Sequence, residues 1–173
     1  IPASTEVVSS YPPENIDVAI KSELFSDNNI LEVSVDGIGV YEYRIDFGPW
    51  QREPLFENVK IGAHTIYVRD LLNCNEITEK KTVIGYPKFF TPNGDGYHDT
   101  WNIVGMTANS SSKIYIFDRY GKLLKQISPT GEGWDGSFNG VQLPSSDYWF
   151  VLEYNDLVTG ENNQLRANFT LKR

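Results

Sequence analysis

Lys113-Ile114-Tyr115-Ile116-Phe117-Asp118-Arg119-Tyr120-Gly121-Lys122-Leu123-Leu124-Lys125-Gln126-Ile127 reads as two short strands around a turn. Gly121 accepts a positive φ at no steric cost, so the chain reverses at Asp118-Arg119-Tyr120-Gly121 and a β-hairpin is predicted. The same period-two signal recurs on both sides. Towards the C-terminus, Tyr148 to Tyr154 is a strand with Tyr148, Phe150, Leu152 and Tyr154 on one face, and Leu165 to Leu171 is another. Just before the hairpin, Lys88 to Thr91 and Thr100 to Val104 are predicted strands. In the N-terminal half, Ile16 to Ile20, Ile30 to Val35, Val40 to Ile45, Thr65 to Arg69 and Ile77 to Val83 alternate in the same way. Asp36-Gly37-Ile38-Gly39, Gly48-Pro49, Lys60-Ile61-Gly62 and Asn73-Cys74-Asn75 separate them as turns. No segment sustains helical periodicity. The fold predicted is all-β, with two tandem immunoglobulin-like β-sandwich domains. Gly85-Tyr86-Pro87 is the boundary, because Pro87 cannot donate to a ladder and restrains the residue before it. The domains expected are therefore 1–85 and 86–173.

Composition agrees. The 10 Tyr, 9 Phe and 4 Trp among 173 residues suit pleated, half-buried surfaces. Formal net charge is −8, and no Lys/Arg cluster of the kind that neutralises phosphates occurs, which argues against nucleic acid as a partner. Lys80-Lys81 reads as a solvated strand edge. No apolar run has the length that spans a bilayer. The lone Cys74 cannot close an internal disulfide, and with only His64 and His98 it cannot make a zinc site. The chain begins at Ile1 rather than Met, which reads as a piece of a longer protein.

Four segments of the second half, taken in order, carry a resemblance. Phe89-Phe90-Thr91-Pro92-Asn93-Gly94-Asp95-Gly96-Tyr97-His98-Asp99-Thr100-Trp101 resembles the signature F-T-P-N-G-D-G-x-N-D-x-(F/W). Ile116-Phe117-Asp118-Arg119-Tyr120-Gly121 resembles (I/V)-(F/Y)-(N/D)-R-(W/Y)-G. Trp134-Asp135-Gly136-Ser137-Phe138-Asn139-Gly140, with Leu143-Pro144 and Tyr148, resembles W-D-G-x-x-N-G-x-x-(L/M)-P-x-G-x-Y. Phe169-Thr170-Leu171-Lys172-Arg173 is similar to the closing strand. Together they resemble the gliding motility-associated C-terminal domain, the type B sorting domain of type IX secretion. Two positions depart from the pattern: His98 stands in place of Asn, and Ser146-Asp147 in place of a residue followed by Gly. Asp147 is expected to tolerate the turn geometry of that Gly.

The resemblance implies the site and the role. The sorting-signal residues are Thr91, Pro92, Asn93, Gly94, Asp95, Gly96, Arg119, Gly121, Trp134, Asp135, Gly136, Phe169 and Leu171. The implied function is a C-terminal secretion signal of a cell-surface or secreted Bacteroidetes protein, a gliding adhesin among the options. The implied partners are the type IX translocon and an associated outer-membrane protein. Export through the periplasm to the cell surface or medium follows, with a monomer expected. In the first half, Tyr41-Glu42-Tyr43-Arg44-Ile45-Asp46, Trp50-Gln51, Phe56 and Val68-Arg69-Asp70-Leu71-Leu72-Asn73-Cys74 resemble adhesin-type repeats. The resemblance implies a disulfide partner for Cys74 near the start of the repeat, and Ile1 to Pro13 contain none.

Two further chemistries are open to these residue types. Asn93, Asp95 and Asp99 offer oxygen ligands at a Gly-rich loop, the donor set a hard cation such as Ca²⁺ requires, although the EF-hand spacing and its terminal Glu are missing. The competing reading is an Asx-rich turn whose side chains cap local amides. Trp50, Trp101, Trp134 and Trp149 could line a sugar-binding face, or fill cores. The alternative function is accordingly a calcium-dependent carbohydrate-binding module of a surface enzyme. No G-x-S-x-G elbow occurs and the two His lie in different halves, so no enzymatic activity is expected of the chain itself.

Overall fold

A computed structural model of the chain describes residues 13–72, 75–106, 112–155 and 160–173. All regular structure among them is β, and the chain divides into two compact units between Val83 and Ile84. Cys74 lies outside the described residues.

The first unit has six strands: β1 (Asn15–Ile20), β2 (Asn29–Asp36), β3 (Tyr41–Ile45), β4 (Leu55–Val59), β5 (Gly62–Asp70) and β6 (Glu76–Val83). They form two antiparallel three-stranded sheets, ordered β1-β2-β4 and β3-β5-β6. This is the strand exchange of an immunoglobulin-like sandwich without its D strand. Both sheets contribute to one core: Val18, Leu31, Val33, Phe56 and Val59 from the first, Tyr43, Ile66, Val68 and Val83 from the second.

Strand β4 has no alternating sequence, and its geometry gives the reason. Its buried residues, Phe56 and Val59, are three apart because Asn58 takes φ 54° between them. The opposing register slips between Asn29 and Leu31. A kinked strand breaks the two-residue period on which sequence reading depends.

The second unit is built on a five-stranded sheet ordered β7-β13-β12-β8-β9. Its strands are β7 (Phe89–Phe90), β8 (Lys113–Phe117), β9 (Leu123–Ile127), β12 (Ser146–Asn155) and β13 (Asn162–Leu171). Only β7, beside β13, runs parallel to its neighbour. The expected hairpin is β8–β9, and Gly121 has φ 80°. Asp118 ties that turn, its Oδ1 accepting from the Tyr120 and Lys122 amides at 2.8 and 2.9 Å.

The layer facing this sheet is made of short pieces. The hairpin of β10 (Ser137–Phe138) and β11 (Val141–Gln142) turns on Asn139 (φ 50°) and Gly140 (φ 78°), the Asn-Gly pair that a tight two-residue turn favours. The predicted strand Thr100 to Val104 is corrected. The segment does alternate, burying Trp101 and Ile103, but its backbone pairs only at Trp101↔Trp134 and Gly85↔Val104. Between them the Asn102 side chain intervenes: its Nδ2 donates to the Ser128 and Gly131 carbonyls, and its Oδ1 accepts the Ile103 amide, which takes that N–H out of any ladder.

Aromatic rings fill the space between the layers. Trp101 stacks on Phe169 with centroids 3.8 Å apart and planes 11° from parallel. Phe150 lies 4.8 Å from Trp101, and Tyr148 meets Trp134 edge-on at 5.1 Å. The polar edges are satisfied, as burial demands. Trp101 Nε1 donates to the Pro87 carbonyl, Trp134 Nε1 to the Ser137 carbonyl, and the Tyr148 hydroxyl to the Pro144 carbonyl.

Candidate functional site: the motif loops of the second unit

Phe90 is fully buried, and the chain then leaves the sheet into a loop whose surface is polar. The loop is closed at its base by the Thr91 amide donating to the His98 carbonyl at 2.8 Å. Inside it, every side-chain oxygen of the three expected metal ligands accepts from a local N–H. Asp99 Oδ1 takes the Gly94 amide at 2.6 Å, and Oδ2 takes the Gly96 amide at 2.7 Å. Asp95 Oδ1 takes the Tyr97 amide at 2.8 Å, and Oδ2 takes Asn93 Nδ2 at 2.8 Å. Asn93 Oδ1 takes the Asp95 amide at 3.1 Å. Three of the four carboxylate oxygens are therefore engaged by backbone amides and the fourth by the Asn93 side-chain amide. Among the described residues no group of three or more His, Cys, Asp or Glu is assembled for a metal. The geometry is that of consecutive Asx turns. The Asn93 and Tyr97 N–H donors hold the Asp95 carboxyl below its usual range.

Gly94 (φ 79°) and Gly96 (φ 88°) supply the left-handed positions of this loop. His98 takes a third, at φ 53°. Asn and His both tolerate that region better than most residues, which accounts physically for His98 standing where the resembling pattern has Asn.

Asp135 and Gly136 turn the chain after buried Trp134. The Ser137 hydroxyl donates to Asp135 Oδ1 at 2.7 Å, and this bond lowers the Asp135 pKa against a smaller opposing effect of burial. A Cβ on Gly136, whose φ is 78°, would lie 2.5 Å from Leu171 Cδ1 and 3.3 Å from Phe90 Cζ. Leu171 and Phe169 are both buried, as their spacing predicts. Asp147 corrects the turn reading: it is a residue of β12, paired with Thr170 and accepting that residue's hydroxyl at 2.6 Å.

Arg173 brings these segments together, and sequence reading assigned it no role. Its Nε donates to the Leu143 carbonyl at 2.9 Å, Nη1 to the Pro92 carbonyl at 3.3 Å and Nη2 to the Gly136 carbonyl at 3.2 Å. Its amide donates to Ser145 Oγ at 2.8 Å. Carbonyl acceptors belong to every residue alike, so nothing in the sequence marks them as partners. Pro92, Gly94, Asp99, Thr100, Asp135 and Arg173 border one shallow groove. Thr91, Pro92, Asn93, Gly94, Asp95, Gly96, Trp134, Asp135, Gly136 and Leu171 thus lie on or directly beneath one end of the unit. Phe169 supports them from the core, stacked under Trp101.

Arg119 and Gly121 belong to a different place. They sit on the exposed β8–β9 turn, where Arg119 and Tyr120 border a second groove with Phe138, Leu143, Pro144 and Tyr148. The tryptophans do not form a platform. Trp101 and Trp134 are core residues. In the first unit Trp50 is flanked by the Arg44 and Arg69 guanidinium groups at 4.6 and 4.1 Å, and in the second Trp149 is partly exposed on β12.

The second unit is thus a β-sandwich whose unusual residues all shape loops and their support. Residues 84–169 match the family described as the CHU_C type IX secretion signal domain. The second unit belongs to that family and is a secretion signal domain of the type IX system. A comparison with curated proteins gave no match. Among solved structures the chain is similar to one titled "Biofilm associated protein - BSP domain", at 11% identity and a TM-score of 0.28. That likeness covers 91% of this chain, which spans 29% of the length of the other. No helix among the described residues is long and apolar enough to cross a membrane.

Proposed function

We propose that the second unit addresses the polypeptide that carries it to the type IX translocon, which passes it from the periplasm across the outer membrane to the cell surface or the medium. The observation that carries this reading is the family match over 84–169, covering motif segments whose polar residues the core does not require. Buried Trp101, Trp134 and Phe169 account for themselves by packing; exposed Asp95, Tyr97, Arg119 and Tyr120 do not. The first unit is a repeat of adhesin type that travels as cargo, in a surface protein of a Bacteroidetes bacterium such as a gliding adhesin. The translocon acts with an associated outer-membrane protein on a monomeric chain.

The test is a periplasm-directed fluorescent protein fused ahead of residues 1–173 in a host competent for type IX secretion. The full chain carries the reporter outside the cell, and a fusion ending at Val83 leaves it in the periplasm. A translocon-defective strain retains both. Periplasmic retention of the full fusion, in a strain that exports another type B domain, overturns the reading.

A further inference from the structure

Backbone carbonyls of two segments far apart in sequence converge on one side chain. Arg173 follows β13 by two residues and donates to carbonyls at Pro92, Gly136 and Leu143. The acceptors lie in two motif segments: the Thr91–Asp99 loop, and the two flanks of the β10–β11 hairpin at Gly136 and Leu143. Among the described residues Arg173 makes no ion pair, so its charge is directed to backbone carbonyls. The planar guanidinium has five N–H donors in a fixed fork and reaches three acceptors at once, which the single ammonium of Lys cannot reproduce. The neighbouring contacts leave it one position. Its amide is held by Ser145 Oγ, the preceding amide of Lys172 donates to the Phe90 carbonyl at 3.0 Å, and Nη2 would lie 3.1 Å from a Cβ on Gly136. The Gly136 carbonyl also accepts the Leu143 amide at 2.9 Å, so the bond that closes the base of the β10–β11 hairpin shares its acceptor with Arg173. Directly beneath, Leu171 and Phe90 are completely buried and supply a rigid floor.

We propose that Arg173 is the positioning residue of the sorting signal: it joins the Thr91–Asp99 loop to both flanks of the β10–β11 hairpin in one face, and that assembled face is what the export machinery reads. This rests on the secretion reading above and adds to it the surface that is recognised and the contact that builds it. Tyr97 is an exposed residue of the Thr91–Asp99 loop, whereas Trp149 is exposed on β12.

The experiment uses the full chain behind the same reporter, with Arg173→Met, Arg173→Lys, Tyr97→Ala, Trp149→Ala and, as a control for stability alone, Ile116→Val in the core. Export is read as the fraction of reporter outside the cell. Amide hydrogen exchange is followed on the purified chains at Gly94, Gly96 and Leu143. Both Arg173 variants are expected to speed exchange at these amides at least about tenfold and to lower export at least about tenfold. Tyr97→Ala lowers export with exchange unchanged, while Trp149→Ala and Ile116→Val export as the parent does. Unchanged exchange in Arg173→Met overturns the clamp. Export at the parental level in Arg173→Lys, or loss of export in Ile116→Val at an equal shift of melting temperature, overturns positioning in favour of charge or stability. Loss of export in Trp149→Ala but not Tyr97→Ala overturns the choice of face. If the parent chain is itself retained, the secretion reading fails, and the exchange data alone decide whether Arg173 holds the loops.

Discussion

Asp99 engages both of its carboxylate oxygens with amides of the loop that precedes it, at Gly94 and Gly96. Hydrogen bonds to a charged group contribute about 1.5–3 kcal/mol each when well formed, and at an exposed site the lower end applies. Asp99→Ala is therefore expected to lower the stability of the second unit by up to about 3 kcal/mol, measured by urea unfolding. Because those oxygens already have donors, millimolar calcium and chelator are expected to give the same melting temperature for the parent and for Asp99→Ala. A calcium-dependent rise in the parent that is lost in the variant would restore the metal reading of Asn93, Asp95 and Asp99. At this scale the sequence showed that oxygen-bearing side chains cluster beside two glycines. It did not show which way the oxygens point, because an Asx turn and a cation loop draw on the same residue types.

Strand β13 shows what an element adds to its residues. It pairs with β12 over ten positions and on its other side with β7, so it is a central strand of the second sheet. Phe169 and Leu171 each contribute about 1.5–3 kcal/mol by burial. Domains of this size have net stabilities of about 5–15 kcal/mol. Removing Asn168 to Arg173 also exposes Phe90, Trp101 and Trp134, which pack against Phe169. The expected outcome is loss of the cooperative melt of the second unit, followed by near-ultraviolet circular dichroism, together with loss of export. A truncated chain that keeps the parental melt would show that the strand is dispensable. Alternation made β12 and β13 legible in sequence, and Asp118 with Gly121 did the same for the β8–β9 turn. The kink at Asn58 hid β4, and the β10–β11 hairpin was too short to show a period although Asn139-Gly140 marks its turn.

Among the described residues of both units, hydrogen-bond donors do more than nearby cationic groups to lower the perturbed carboxylates, with His64, His98 and Lys125 adding a smaller contribution. In the first unit Asp46 is opposed by burial, but the Thr65 amide at 2.9 Å and His64 at 2.7 Å outweigh it and lower its pKa. In the second unit Asp95 and Asp135 are lowered by their own turns. A carboxyl whose folded pKa lies below its unfolded value, about 3.9, adds stability above that value and loses it as pH falls through the folded one. Both units are thus expected to lose stability below about pH 4, and little between about pH 5 and 7 from these groups. Urea midpoints at pH 3, 4, 5 and 7 check this, and Asp46→Asn is expected to reduce the acid loss in the first unit. A midpoint that is flat down to pH 3 would contradict it.

The sequence by itself determined that the chain is all-β, that Phe169 and Leu171 face a core, and that four ordered segments mark a secretion signal domain. These properties are written in side-chain period, turn chemistry and residue identity, each of which is local. Only the tertiary structure decided that the Thr100 to Val104 segment pairs at single points, that Trp101 is an interior ring, and that Arg119 borders a groove with Leu143 and Pro144 rather than the one bordered by Pro92 and Asp135. It alone placed Arg173 over Pro92, Gly136 and Leu143. The reason is physical: those bonds end on backbone carbonyls, which every residue carries, and chain reversals that no local pattern records bring them within reach.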